Sequence, residues 1–306
     1  MGMDLTALMA VRAISAPTGM GRVLTLGRQE LHVSQSEARW ADLTHYQTGQ
    51  IQGRFAEECL TRAFGAEIVE SVDASNYQDA TFVYDLNEDL PRNMFGQYDT
   101  VLDFGTSEHI YDIRQVFENV SNAVKVGGQI LHVLPTNGFS GHGFYQFSPE
   151  FFFSTYSESR GFQSTKVFVV NPLNPFTWYR IPTAPLGERT DVYTSGPLYV
   201  VCFTKKSSGA SQKNVQQSDY LTAWSDRSAR INRVQRQTKN SALTKLRMYF
   251  FEVFPPLKHL ATKCYLWART ICRAHKPVWS NQSLTKLDFR KINKVVLQCE
   301  LDVIET

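Results

Sequence analysis

The chain has 306 residues, 42% of them hydrophobic and 20% charged, which excludes a wholly disordered or fibrous protein and suffices for one large domain with an appendage or two modest ones. Its formal net charge of +3 hides an asymmetry: from Arg227 to Lys294 there are 16 Lys or Arg against only Glu252 and Asp288, leaving 16 basic and 27 acidic residues elsewhere. An acidic body thus carries a basic tail, able to meet phosphate, lipid head groups or the protein's own acidic face.

The opening residues, MGMDLTALMAVRAIS, suit a short amphipathic helix before the breaker Pro17-Thr18-Gly19. An acid at Asp4 with no basic residue before the apolar run argues against a secretory signal. The apolar run 22–26, bounded by Gly21 and Gly27, has the length of a buried strand. A polar stretch without a stable period follows to about residue 52. The spacing of Phe55, Cys59, Leu60 and Ala63 predicts a helix over 53–64, stopped by Gly65. Short strands are expected at 67–72, 80–84 and 98–104. A helix at 110–124 carries Ile113, Val116, Phe117, Val120 and Val124 on one face, Lys125-Val126-Gly127-Gly128 closes it, and a fifth strand runs over 129–134. Ser148-Pro149-Glu150 opens another helix, with Gly161 as its stop. Strands at 166–171 and 198–204, joined without an evident helix, predict an antiparallel pair at the sheet edge.

This alternation predicts an α/β domain over 1–204, a Rossmann-like doubly wound sheet that is mainly parallel. Residues 205–226 have a linker composition, and 227–306 reads as a basic helical extension. Its apolar stripe, from Leu243 to Ile271, is interrupted by Pro255-Pro256, so two helices are expected rather than one coiled coil. The aromatic run 248–254 with Lys245 and Arg247 suits either a lipid interface through 243–273 or docking on the catalytic domain. Nucleic acid is not an expected partner, because no recognition motif accompanies the charge.

Five cysteines, an odd number without C-x-x-C spacing, suggest neither a zinc ribbon nor a disulfide framework; no metal centre is expected, and reduced thiols point to the cytoplasm, with the inner membrane face as a peripheral site. No run approaches the roughly 18 apolar residues needed to span a bilayer.

The stretch YDTVLDFGTSEHIYD, then a helix, then KVGGQILHVLP, resembles the fourth strand, following helix and fifth strand of class I S-adenosylmethionine-dependent methyltransferases. The resemblance is tight over about 40 residues, and the element order from 22 to 204 fits the rest. It implies S-adenosylmethionine as cofactor, and places Gly27, Asp73, Asp85, Leu86, Gly105 and Thr106 around it. Asp73 matches the residue that hydrogen-bonds the ribose, although Asp73-Ala74-Ser75-Asn76 is also good turn chemistry. Asp85 matches an acid near the adenine, or is an ordinary loop residue. The family's glycine-rich first loop is reduced to Gly27-Arg28-Gln29-Glu30, so Arg28 either pairs with the cofactor's carboxylate or fills the pocket. The spacings imply an insertion in that loop and loss of the helix between Asp73 and Asp85.

His109 is the candidate base, with Glu108 orienting it or contacting the cofactor amine; a capping role for His109 is the other reading. In PTNGFSGHGFYQFSPE, His142, Tyr145 and Gln146 could bind an acceptor, while Phe144, Tyr145 and Phe147 could equally pack the loop. This loop resembles methyltransferase-like proteins of bacterial surface-polysaccharide gene clusters, which implies a small-molecule or glycan acceptor. A non-catalytic methyltransferase-like scaffold is the other class that the altered first loop allows. His132, inside a strand pattern, reads as an ordinary packed residue.

Overall fold

The computed structural model describes residues 2–15, 19–34, 36–37, 55–184, 188, 190–194, 196–209, 215–217, 220, 278–280 and 283–288. The chain divides into two compact units. The first takes 1–181, 197–215 and 285–306; the second takes 182–196 and 216–284.

The first unit holds a nine-stranded sheet. Strands β1 (Gly21–Leu26), β2 (Ala66–Asp73), β3 (Phe82–Val83), β4 (Tyr98–Asp103) and β5 (Val124–Asn137) run parallel in the order β5-β4-β1-β2-β3. Beyond β5 lie strands from later in the chain: β6 (Phe162–Val170), β7 (Thr177–Ile181), β9 (Leu198–Lys206) and β11 (Thr285–Asp288), ordered β11-β7-β6-β9-β5. The antiparallel pair expected from the sequence is β6 with β9, but it is not the sheet edge. β9 is inserted between β5 and β6, antiparallel to both, and β7 and β11 continue the sheet outward. In the second unit the described strands β8 (Val192–Thr194) and β10 (Val278–Ser280) pair antiparallel.

Within 227–306, expected to be helical, the described segments are therefore strands: β10, and β11 at the end of the large sheet. The two helices expected at 243–273 lie outside the described residues.

Alternation along the strands divides two apolar layers. On one face Val23, Leu102, Leu131, Val133 and Val201 pack with α1 (Leu5–Ile14) and α2 (Glu57–Phe64). On the other, Leu24, Val101, Ile130 and Leu134 pack with α3 (Ile113–Ala123) and α4 (Pro149–Thr155). Helices on both faces of the parallel half make the fold doubly wound and Rossmann-like. The N-terminal helix forms where the sequence places it, capped by Asp4, whose Oδ1 accepts from the Ala7 amide at 2.9 Å. It is not amphipathic in use: eight of its ten residues are buried, including Thr6. Its buried Leu5, Leu8, Met9 and Val11 belong to the first layer.

α3 begins at an Asp112 cap and buries Val116, Phe117 and Val120, as its spacing predicts. Gly65, with φ of 69°, ends α2. Gly161 ends a single helical turn after α4 rather than α4 itself. The 73–82 connection holds a turn and no helix. Cys59 and Cys202 are buried and unbridged. No described helix is long and apolar enough to cross a membrane.

Candidate functional site

Strand register decides which loops meet. Leu26 lies opposite Val72 and Asp103, and Asp73 lies opposite Val83. The residues that follow β1, β2, β3 and β4 thus emerge along one sheet edge. From β1 the chain proceeds outward through β2 and β3, while β4 starts the other half on the opposite side of β1. The gap between β1 and β4 is the switch point at which such sheets bind small molecules.

The loops after β1 and β4 touch there. Gly27 has φ of 66° and donates its amide to Val72 O at 2.7 Å; a Cβ at this position would lie 2.8 Å from Thr106 Oγ1. Thr106 Oγ1 donates to Leu26 O at 2.6 Å, and Gln29 Nε2 donates to the same carbonyl at 2.5 Å. Gln29 was missed by the sequence reading. It is buried, and its Oε1 has no hydrogen-bond partner among the described residues. Its local signal in the sequence is only that of a polar residue just after a buried strand.

Arg28 forms a clip between three segments. Its Nε donates to Glu57 Oε1 at 2.7 Å, its Nη1 donates to Gln78 O at 2.7 Å and Asp79 O at 3.2 Å, and its guanidinium covers the Phe55 ring at 3.8 Å. It joins the start of α2 to the turn after β2. Asp73 is half-buried at the end of β2, with Oδ1 accepting from the Ser75 amide at 3.2 Å. Asp85 is exposed and accepts from the Asn87 amide and side chain at 2.9 and 2.8 Å. Leu86 is buried in the second apolar layer. Gly105, with φ of 86°, starts the turn after β4.

That turn is wound by Asp103. Its Oδ1 accepts from the Thr106 and Ser107 amides at 3.1 and 3.3 Å, and its Oδ2 accepts from Ser107 Oγ at 2.5 Å. The single helical turn Ser107–His109 follows and aims Glu108 inward. The Glu108 side chain is 0% exposed, and neither carboxylate oxygen has a hydrogen-bond partner among the described residues. Burial first, and the nearby Asp103 second, push its pKa from 4.5 up to about 8.

The loop after β5 closes over this turn. Glu108 O accepts from the Phe144 and Tyr145 amides at 2.7 and 3.3 Å. Gly143, with φ of 69°, allows the approach: a Cβ would lie 2.7 Å from Glu108 O and 3.0 Å from Glu108 Cγ. His142 Nε2 is thereby brought to 3.5 Å from Glu108 Oε1, while His109 Nε2 lies 3.8 Å from the same oxygen. The imidazoles meet edge to face at 4.7 Å. His142 Nε2 is buried without a hydrogen-bond partner among the described residues. Burial and then His142 lower the pKa of His109, so its ring is neutral near pH 7. The structure therefore unites Glu108, His109 and His142 from two loops 33 residues apart. Where no metal centre was expected, three metal-ligating side chains place one donor atom each within 4.8 Å of one another.

The aromatics of this loop divide. Phe147 is core and Gln146 Oε1 accepts from the Phe139 amide, while Tyr145 donates to Tyr111 O at 2.6 Å. Phe144 stays exposed, edge to face with the exposed Tyr111 at 5.9 Å.

His132 is packed, as its strand pattern predicts, but it also holds a network. Register sets it opposite Asp103; its Nδ1 lies 2.9 Å from Asp103 Oδ2 and its Nε2 2.6 Å from the Tyr156 hydroxyl. Asp103, which the sequence reading passed over as part of a strand, supports the Glu108 turn from below. Its period-2 match to His132 was visible only once the two strands were paired.

No family model and no curated protein match the sequence. Among solved structures the chain is similar to YcgJ of Bacillus subtilis, at 12% identity over 67% of this chain and 99% of that one, with a TM-score of 0.37. It is also similar to TehB of Haemophilus influenzae, at 13% identity over 65% and 61%, TM-score 0.36. A third is phosphoethanolamine N-methyltransferase 2 of Haemonchus contortus, solved with S-adenosyl-L-methionine, at 22% identity over 52% and 37%, TM-score 0.32. The chain thus spans about three fifths of TehB and under two fifths of the Haemonchus enzyme. At these scores the likenesses assign no function, and the fold stands on its own strand order.

Proposed function

We propose that the chain transfers a methyl group from S-adenosylmethionine to a hydroxyl or amine of a small acceptor. The observation that carries the reading is the buried, unpartnered Glu108 beside His109 and His142, at the switch-point edge of a Rossmann-like sheet.

Two features of the edge fit the cofactor. Gly27 brings backbone against Thr106 with no room for a Cβ, and Gln29 Oε1 is a buried acceptor still lacking a donor, suited to an ammonium group. In this reading Gly27, Gln29, Gly105 and Thr106 hold the amino-acid part, Asp73 the ribose, and Asp85 and Leu86 the adenine side. When bound, the cofactor supplies an electrophilic methyl group on a sulfonium. In this reading Arg28 shapes the loop through the Glu57 carboxylate and the 78–79 carbonyls and does not pair with the carboxylate of the cofactor.

The chain's own part is to orient the acceptor and take its proton. His109, neutral near pH 7, accepts a hydroxyl proton, with the His142 ring packed edge to face beside it and Glu108 Oε1 at 3.8 Å. Tyr111 and Phe144 offer exposed rings for stacking, which suits a sugar face and supports a glycan or glycan-precursor acceptor. The competing reading, a non-catalytic binding scaffold, draws on the bonds from Gln29 and Thr106 that close the first loop over Leu26. For the tail we propose peripheral membrane contact through 243–273; flotation on anionic liposomes with and without residues after 217 tests it, equal behaviour rejecting it.

Calorimetric titration of the full chain with S-adenosylmethionine and its demethylated product tests the main reading. Binding is expected, weakened at least about tenfold by Asp73→Ala, which removes two hydroxyl hydrogen bonds. No binding by folded wild-type protein would refute it.

A further inference from the structure

Glu108 is the least satisfied group among the described residues. A fully buried carboxylate ordinarily has several donors, and this one has no hydrogen-bond partner among the described residues. The Asp103 carboxylate, five residues earlier, accepts from two amides, a hydroxyl and an imidazole. Glu108 instead faces two imidazole nitrogens at 3.5 and 3.8 Å, too long for hydrogen bonds. Two ligands of one ion at about 2.1 Å in tetrahedral geometry are themselves separated by about 3.4 Å. The 3.5 Å separation is close to that value, the 3.8 Å one is longer, and all three donor atoms lie within 4.8 Å of one another, so small side-chain rotations would bring them onto one ion.

We propose that Glu108, His109 and His142 bind one divalent first-row transition-metal ion. One carboxylate with two imidazoles is the donor set of zinc and of ferrous or manganous ions, whereas magnesium and calcium prefer all-oxygen sites. The site is built from the backbone. Two amides of the 142 loop clamp Glu108 O, and the Gly143 backbone passes where no Cβ fits. Asp103 fixes the turn that carries Glu108 and His109. Glu108 lies deepest while both imidazoles are partly exposed, so the remaining coordination positions lie on the more exposed side of the cluster. Three protein ligands with an open side describe a catalytic rather than a structural ion.

The use of the ion rests on the proposed function; its binding does not. Coordination of an acceptor hydroxyl oxygen would lower that hydroxyl's pKa, its proton leaving to water, and would replace the base role given to His109.

The test is metal content and spectroscopy on the full chain. Chelator-treated protein is titrated with Zn2+ alone and, separately, with Co2+ read by its visible absorption. Wild type is expected to take up one Zn2+ more than His142→Ala, and to show Co2+ bands that His142→Ala and Glu108→Gln lack. Loss of one ligand should weaken the site at least about 100-fold. His32→Ala, at an exposed His–Glu contact, should change nothing. Because Glu108 is buried, His142→Ala and His142→Gln, on a partly exposed loop side chain, carry the result if Glu108→Gln fails to fold. Equal Zn2+ uptake and equal Co2+ spectra in wild type and the His142 variants would overturn the proposal. Metal binding without cofactor binding would fail the proposed function alone, and the reverse would fail this inference alone.

Discussion

Two buried carboxylates sit five residues apart at the end of β4, each beside a histidine brought from β5 or the loop after it. Asp103 is saturated: two amides, Ser107 and His132 surround it, and His132 in turn reaches Tyr156. The Glu108 carboxylate, equally buried, has no hydrogen-bond partner among the described residues. Saturation is what a supporting residue needs, since each satisfied atom removes a desolvation cost. A group left without partners in an otherwise satisfied fold costs stability and persists where something outside the chain completes it. The contrast separates scaffold from site without reference to any relative.

The largest effect that sharpens it comes from Asp103→Ala. Removing this carboxylate strands His132, Ser107 and two amides, with an expected loss of about 3 to 5 kcal/mol. Urea denaturation measures it; a loss no larger than that of a surface substitution would erase the distinction.

The second prediction has the opposite sign. In chelator-treated protein the folded state holds the Glu108 proton up to about pH 8, while the unfolded chain releases it near 4.5. Folding stability should therefore fall as pH rises through that window and level off above it. Glu108→Gln removes this slope, giving little change at pH 4 and a gain on the order of a few kcal/mol at pH 8 to 9. Thermal melts at the two pH values check it, and a destabilised variant at pH 8 would show that Glu108 has partners after all.

Gly143→Ala comes next. A Cβ 2.7 Å from Glu108 O at φ of 69° should cost about 1 to 2 kcal/mol and loosen the loop that carries His142. Denaturation and Zn2+ titration of the same variant separate the two consequences; unchanged metal affinity would detach the loop from the site. The smallest effect is Tyr156→Phe, which deletes one buried hydrogen bond to His132 and should cost about 1 kcal/mol without altering Zn2+ uptake.

Much of the scaffold was legible in the chain. The β1 to β5 core follows from apolar runs, the α3 face from its spacing and the end of α2 from Gly65, because these signals are local. The insertion of β9 between β5 and β6, and the extension by β7 and β11, were not legible, since strand order depends on pairings between residues distant in sequence. The site divides the same way. Glu108 and His109 stand out in the sequence as a Glu-His pair after a strand and His142 by its flanking glycines, yet nothing local joins residue 109 to residue 142.

By itself, then, the sequence determined the doubly wound class, the edge where loops collect and the residue types able to do chemistry there. Only the tertiary structure decided that Gln29 and Asp103 belong to that edge, that Arg28 is a clip, and that three donors lie within 4.8 Å of one another. The physical reason is that propensity and period act over a few residues, whereas satisfaction of a buried charge is settled by whichever distant backbone arrives beside it.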